Sequence, residues 1–311
     1  MKIYFIVSSN EDTPSKELLA KLKSAGKVTV IRHKGKLAQL KQLQKDKEPK
    51  VIGLDPGVFD WDLDAEAFQE IPNVKAVCTS STSFDWLKPK ELKKLGIVAC
   101  NVPGFSSDSV AEYALCMAIA VARRTSSVFG KKWGEYDFER TPPMLLKGKN
   151  AAIIGLGRIG KRMAELCDGI GMNVIYWSRK SRDKRFKYVN IDRLFKSADL
   201  VMPALIENEE TKKIVTKKRL DLMKPSAILV GINRVRSIWD EDYVLKKVRN
   251  REIAGYAFEG EDLKHPSAYK GNVWCLPAMI WFTKDSLENL MEIWVNTVKA
   301  AAQGKPQNKV N

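Results

Sequence analysis

The chain has 311 residues, 44% hydrophobic and 29% charged, with a formal net charge of +16. That length exceeds one comfortable core and predicts two domains, and no apolar run approaches the ~20 residues of a membrane-spanning helix. Five scattered cysteines (Cys78, Cys100, Cys116, Cys167, Cys275) with no CxxC pair, and only two histidines, argue against a metal centre and for reduced thiols in a cytoplasmic protein.

The positive charge is dispersed. Residues 1 to 50 hold 12 Lys/Arg against 5 Asp/Glu, mostly at helix-surface spacing as in ELLAKLKSAGK. This describes a lysine-coated surface rather than a nucleic-acid site, with a field that helps gather anionic cofactors and carboxylates.

In chain order, MKIYFIVSS is too short in its apolar part for a secretory leader and reads as a first strand. SKELLAKLKSAG follows as a helix, KVTVIR as a strand, KLAQLKQLQKDK as a helix and VIGLD as a strand. VKAVCTS is another strand, and KELKKLG precedes IVACNVP. Apolar runs of four to seven residues between amphipathic segments predict a parallel sheet covered on both faces. SDSVAEYALCMAIAVARR then predicts a long, largely apolar helix from about Ser107 to Arg124. The polar, proline-bearing WGEYDFERTPPMLLKGK leads into a second alternating series, through NAAIIGLG, NVIYW, ADLVMPAL, SAILVGI and REIAGYAFE to NVWCLP.

AAIIGLGRIG sets a buried strand against Gly155, Gly157 and Gly160 at the opening of a helix, with the strand NVIYW beyond it. In that context the glycines form a dinucleotide phosphate loop: Gly155 for the tight turn, Gly157 for close backbone approach to a pyrophosphate, Gly160 for helix–strand packing. Arg158 and Ile159 complete the loop. Where an NAD site carries an acidic residue for the ribose hydroxyls, this chain has Ser178, Arg179 and Lys180, then Arg182. A hydroxyl beside cations attracts a 2′-phosphate that a carboxylate would repel, so NADP(H) is the expected coenzyme, with NAD(H) as the alternative.

GLGRIG, ADLVMPALIENEETKKIV, RLDLMKPSAILV, EIAGYAFE and HPSAYKGNVWCLP together resemble the D-isomer-specific 2-hydroxyacid dehydrogenases. VPGFSSDSVAEYAL and AAAQGKPQNKV extend the resemblance over nearly the whole chain. It implies an α/β fold of two Rossmann-like, doubly wound parallel-sheet domains with a cleft between them. The substrate domain would comprise residues 1–102 and 286–311, and the coenzyme domain residues 103–285, in a homodimer. It also implies an arginine clamping the substrate carboxylate, a histidine exchanging the hydroxyl proton, and a glutamate raising that histidine's pKa.

Setting GINR against the family's arginine motif makes Arg234 the clamp, with Arg236 the alternative if one residue is inserted. Glu261 is the nearest candidate for the histidine's partner. Glu259 stands where the family has an aspartate near the nicotinamide carboxamide. The coenzyme lining further includes Leu205, Ile206 and Ile232, and the substrate loop reads Ser81, Thr82, Ser83.

The histidine is absent. Pro277 and Trp281 of LPAMIWFT fit the glyoxylate and hydroxypyruvate reductase pattern, but Ala278 occupies the acid position. His265 lies in an HP that the family also carries in a connecting loop, and His33 follows the second strand. Water held by Glu261 or Glu259, Tyr256 and Lys284 are open as substitute donors. Two functions therefore stand: an NADPH-dependent reductase of small 2-keto carboxylates with a weakened or non-standard acid, or a catalytically silent NADP(H)-binding sensor or scaffold.

Overall fold

The computed structural model describes residues 1–9, 12–128, 135, 142–206, 208–232, 238–260 and 268–311. In chain order the first elements are β1 (Lys2–Val7), α1 (Lys16–Lys23), β2 (Lys27–Arg32), α2 (Lys41–Lys45), β3 (Lys50–Leu54), β4 (Val74–Thr79), α3 (Pro89–Lys94) and β5 (Val98–Cys100). The middle of the chain forms α4 (Ser107–Ala122), α5 (Thr125–Val128), β6 (Asn150–Ile154), α6 (Arg158–Gly169), β7 (Asn173–Trp177), β8 (Lys187–Tyr188), α7 (Ile191–Ser197) and β9 (Leu200–Pro203). It continues through α8 (Lys217–Leu220), β10 (Ile228–Gly231), α9 (Glu241–Arg249), β11 (Gly255–Gly260) and β12 (Val273–Pro277), and α10 (Lys284–Ala302) comes last. The fold divides into two compact units, Met1–Ser106 with Thr283–Asn311, and Ser107–Phe282. No helix among the described residues is long and apolar enough to cross a membrane.

The first unit is a five-stranded parallel sheet in the order β2-β1-β3-β4-β5. After an opening lysine, its central strands β1 and β3 run on as IYFIV and VIGL, as burial on both faces demands. One face carries Ile3, Phe5, Val51 and Cys78 beneath α10, whose Trp294, Val295 and Val298 are fully buried. Phe5 and Trp294 pack with ring centroids 4.0 Å apart, and Trp294 Nε1 donates to the Cys78 carbonyl at 2.8 Å. The end of the chain seals the β5 edge. The amide of Asn101 donates to the Asn308 carbonyl, that of Val310 to the Ala99 carbonyl, and the Ala99 amide to Asn311 Oδ1.

The segment expected as one helix over KLAQLKQLQKDK is instead a 3₁₀ turn at Leu37–Gln39 followed by the five-residue α2. Leu40, at φ −82°, ψ 68°, breaks the helical path between them. That break lets Leu37, Leu40 and Leu43 all enter the core, with burial winning over continuous helix geometry.

The second unit is a seven-stranded sheet in the order β12-β11-β10-β9-β6-β7-β8, every pairing parallel. The chain starts at β6, winds outward to β7 and β8, then returns beside β6 with β9 and winds the other way. The order therefore reverses between β6 and β9, the place where doubly wound sheets open a crevice at their carboxyl ends. Both units are Rossmann-like α/β folds. α4 lies on the sheet so closely that a side chain at Gly255 would overlap Val121, and Asn272 Nδ2 ties the layers by donating to the carbonyls of Val121 and Ala254 at 2.9 and 3.0 Å.

Candidate coenzyme and active site

The site in the second unit is built on strand ends. β6 stops at Ile154, and Gly155 turns with φ +93°, a left-handed conformation that glycine adopts freely. A Cβ there would lie 2.6 Å from the Ala204 carbonyl oxygen, and one on Gly160 would overlap the carbonyl of Gly155. A Cβ on Gly157 would meet no atom within 4 Å. Two glycines are thus required by the protein's own packing, while the third faces open space that a ligand would use.

Gly157 caps α6, whose first intrahelical bond runs from the Lys161 amide to the Gly157 carbonyl at 2.9 Å. The amides of Arg158, Ile159 and Gly160 precede it and point outward with the positive end of the helix dipole; the first turn carries no acidic residue. Arg158 is exposed and Ile159 half-buried. Leu205 lies beside the turn, where its Cδ2 would be 3.0 Å from a Cβ added to Gly155, and Ile206 is 77% exposed just past β9.

At the end of β7, Ser178 is buried and accepts from the Ser181 amide at 3.3 Å, which leaves its own O–H to donate. Arg182 donates to the Ser178 carbonyl at 2.8 Å and lies over the Tyr188 ring, 4.2 Å from its centroid. Arg179 pairs with Glu210, and Lys180 is exposed with no ion pair among the described residues. Farther along, Arg185 grips Asp183, and that hydrogen bond holds the Asp183 carboxyl well below the usual carboxylate range.

Across the reversal point, Ile232 follows β10 and packs on the core. Glu259 is buried near the end of β11 and accepts from the Ile280 amide at 3.4 Å. In the β11–β12 register Gly260 faces Pro277, so Glu259 and Ala278 flank one strand end. Ala278 is half-buried and brings no proton to it, while Met279, Trp281 and Phe282 beyond are exposed.

Tyr256, one candidate donor, is fully buried in the core, stacked on Phe258 and accepting from Trp239 Nε1 at 2.9 Å, well short of the strand end. Lys284 is exposed at the start of α10 and pairs with Glu288 at 3.7 Å. Tyr113 of α4, missed in the sequence, has its hydroxyl pKa raised by burial, with the charges of Cys116 and Glu259 adding to the effect. Its position inside an apolar helix gave no signal of that neighbourhood. Arg234, Arg236, Glu261 and His265 lie outside the described residues.

Ser81, Thr82 and Ser83 belong to the first unit, just past β4. Their carbonyls are turned inward and used: Ser81 O accepts from the Val102 amide, Thr82 O from Asn101 Nδ2, and Ser83 O from Ser81 Oγ and Trp86 Nε1. Asp55 braces the loop through Ser80 Oγ at 2.9 Å, with its carboxyl pKa raised by burial. The amides of Ser81, Thr82 and Ser83 make no hydrogen bond among the described residues and are donors that an anion could use.

The residues at the carboxyl ends of β6, β7 and β9 to β11 fit a dinucleotide: helix-start amides ahead of the first intrahelical bond, open space beside Gly157, and a hydroxyl with cations at β7. Comparisons with known proteins agree. Residues 113–280 match the family model "D-isomer specific 2-hydroxyacid dehydrogenase, NAD binding domain". The chain is 30% identical over 267 residues to a glyoxylate reductase of Thermococcus litoralis, covering 80% of each chain. It is 27% identical over 262 residues to a hydroxypyruvate reductase of Blautia hydrogenotrophica, covering 79% of this chain and 81% of the other. Among solved structures, a D-isomer specific 2-hydroxyacid dehydrogenase from Lactobacillus delbrueckii ssp. bulgaricus, in its NAD complexed form, superposes with a TM-score of 0.83 at 22% identity over the full length of both chains. With the phosphate loop, the strand order and these matches in agreement, the chain belongs to the D-isomer specific 2-hydroxyacid dehydrogenase family, oxidoreductases that bind a nicotinamide dinucleotide.

Proposed function

We propose that this chain is an NADPH-dependent reductase of small 2-keto carboxylates, of the kind its relatives named glyoxylate and hydroxypyruvate reductase represent. The observation that carries the coenzyme half of the reading is the end of β7. A buried Ser178 hydroxyl with Arg179, Lys180 and Arg182 stands where a carboxylate would be needed to favour NAD(H). The bound coenzyme would supply hydride to the carbonyl carbon. Gly157 and the amides of Arg158 to Gly160 hold its pyrophosphate, Glu259 the carboxamide side, and Leu205, Ile206 and Ile232 line the groove. Arg234 grips the substrate carboxylate through its planar fork. The amides of Ser81 to Ser83 are a second carboxylate-binding group.

The proton that accompanies reduction comes from a donor other than a histidine on the β12 tip, because that residue is Ala278. Loss of a positioned acid lowers rates by ~10²–10⁴-fold, so slow turnover is expected unless Glu261 or Glu259 holds a water in its place. Ala278 also supports a second reading, a coenzyme-binding sensor or scaffold without turnover. The protein is further proposed to act as a homodimer in the cytoplasm.

The test is an NADPH-consumption assay with glyoxylate, hydroxypyruvate and bulkier 2-keto acids, on the wild type and Arg234→Lys. Turnover with a KM strongly raised in the variant and NADPH binding unchanged supports the reductase. NADPH binding with no turnover of any 2-keto acid transfers the reading to the sensor.

A further inference from the structure

We propose that Glu210 is a built-in competitor for the coenzyme's 2′-phosphate, holding the Arg179 guanidinium until NADPH displaces it and so setting how strongly the site prefers NADPH over NADH. The proposal rests on the NADP(H) reading above and adds to it the residue that limits the preference.

The basic stretch after β7 is less available than its sequence suggests. Arg182 is committed to the Ser178 and Ser181 carbonyls and to the Tyr188 ring, and Arg185 to Asp183 and Glu165. Arg179 pairs instead with Glu210, 31 residues on, in the loop after β9. That carboxylate is held in place by its backbone: the amides of Glu210 and Thr211 both donate to Asn208 Oδ1 at 3.0 Å. Thr211, 2% exposed, accepts from the Asn208 amide through Oγ1 at 2.9 Å. The neighbouring Glu209 is drawn away by Lys212 at 3.0 Å.

The pair's side chains are 45% and 69% exposed, so it is weak and displaceable rather than a lock. A bidentate phosphate contact is the stronger partner for a guanidinium. Binding of NADPH nevertheless requires Glu210 to release Arg179 and to tolerate a nearby phosphate of like charge. NADH brings no phosphate and meets neither cost.

The experiment is fluorescence titration of the full chain with NADPH and with NADH at low ionic strength, for wild type, Glu210→Gln, Arg179→Gln and the double variant. Glu210→Gln is expected to tighten NADPH about three- to five-fold while NADH changes less than two-fold, and the gain should shrink as salt rises through ~0.15 M. In the Arg179→Gln background the same substitution should give a clearly smaller gain, since only the like-charge cost is left to relieve. An NADPH affinity unaltered or weakened by Glu210→Gln overturns the proposal, as does an equal gain without Arg179. If wild type binds NADPH no more tightly than NADH and Arg179→Gln alters neither, the NADP(H) reading itself falls.

Discussion

Gly160 sits against the carbonyl of Gly155 so closely that a methyl group on it would overlap that oxygen, whereas a methyl on Gly157 would touch nothing. The two positions should therefore fail differently. Gly160→Ala should cost about 1–3 kcal/mol by overpacking, seen as a fall of several degrees in Tm. Gly157→Ala should melt with the wild type, since its φ of −77° suits any residue, yet bind NADPH at least ~10-fold more weakly. Thermal melts and coenzyme titrations of both variants decide; matched Tm losses would show that Gly157 serves packing.

At Ser178 the charge of one side chain should set coenzyme choice. Wild type is expected to bind NADPH at least ~10-fold more tightly than NADH. Ser178→Asp should reverse the order by setting a carboxylate against the 2′-phosphate and beside the ribose hydroxyls. Equal affinities for the two coenzymes in the wild type would reject the assignment.

For the β12 tip, Ala278→His should raise kcat/KM for glyoxylate and hydroxypyruvate with NADPH saturating, by up to ~10²-fold if Glu261 orients the ring. A fast wild type and a slower histidine variant would mean that another group has become the acid. Tyr113, whose hydroxyl senses the charge of Glu259, is then the first residue to replace by Phe.

A pH effect on stability is expected from the first unit. Burial pushes the Asp46 carboxyl up, but hydrogen bonds from Tyr4 Oη at 2.6 Å and from the Glu48 amide and Lys2 Nζ at 3.0 Å outweigh it. Together they take its pKa from the ordinary 3.8 down to about 2. A folded pKa below the unfolded one means stability that is fully present above about pH 4 and lost as pH falls from there toward 2. The Tm gap between wild type and Asp46→Asn should accordingly be wide at pH 6 and close by pH 2; a constant gap would exclude the ionised carboxylate as its source.

The phosphate loop was legible because its logic is local: a strand, three glycines and a helix within a dozen residues. Strands such as β6, β9 and β10 were legible because burial on both faces makes each a run of apolar residues. β8, by contrast, consists of the exposed Lys187 and Tyr188 and had no such run to read. The helix expected over residues 36–47 misled because its leucine spacing suits a helix, yet all three leucines were needed in the core. Glu210 was invisible for a different reason. Its partner lies 31 residues away, and within ENEETKK it looks like one solvated acid among several.

The seal that α10 and residues 308–311 place on the first sheet has a consequence for folding during synthesis. Trp294, Val295 and Val298 fill the face above Phe5 and Val51, and the edge of β5 has no partner until Asn308 and Val310 arrive. The first 106 residues therefore emerge without the helix that covers them, while Ser107–Phe282 has every strand of its own sheet in hand before α10 is made. Domains ordinarily fold in the order they leave the ribosome. The expected order here is the reverse: Ser107–Phe282 can close its own sheet first, while the apolar face of the first sheet has no cover until α10 is made.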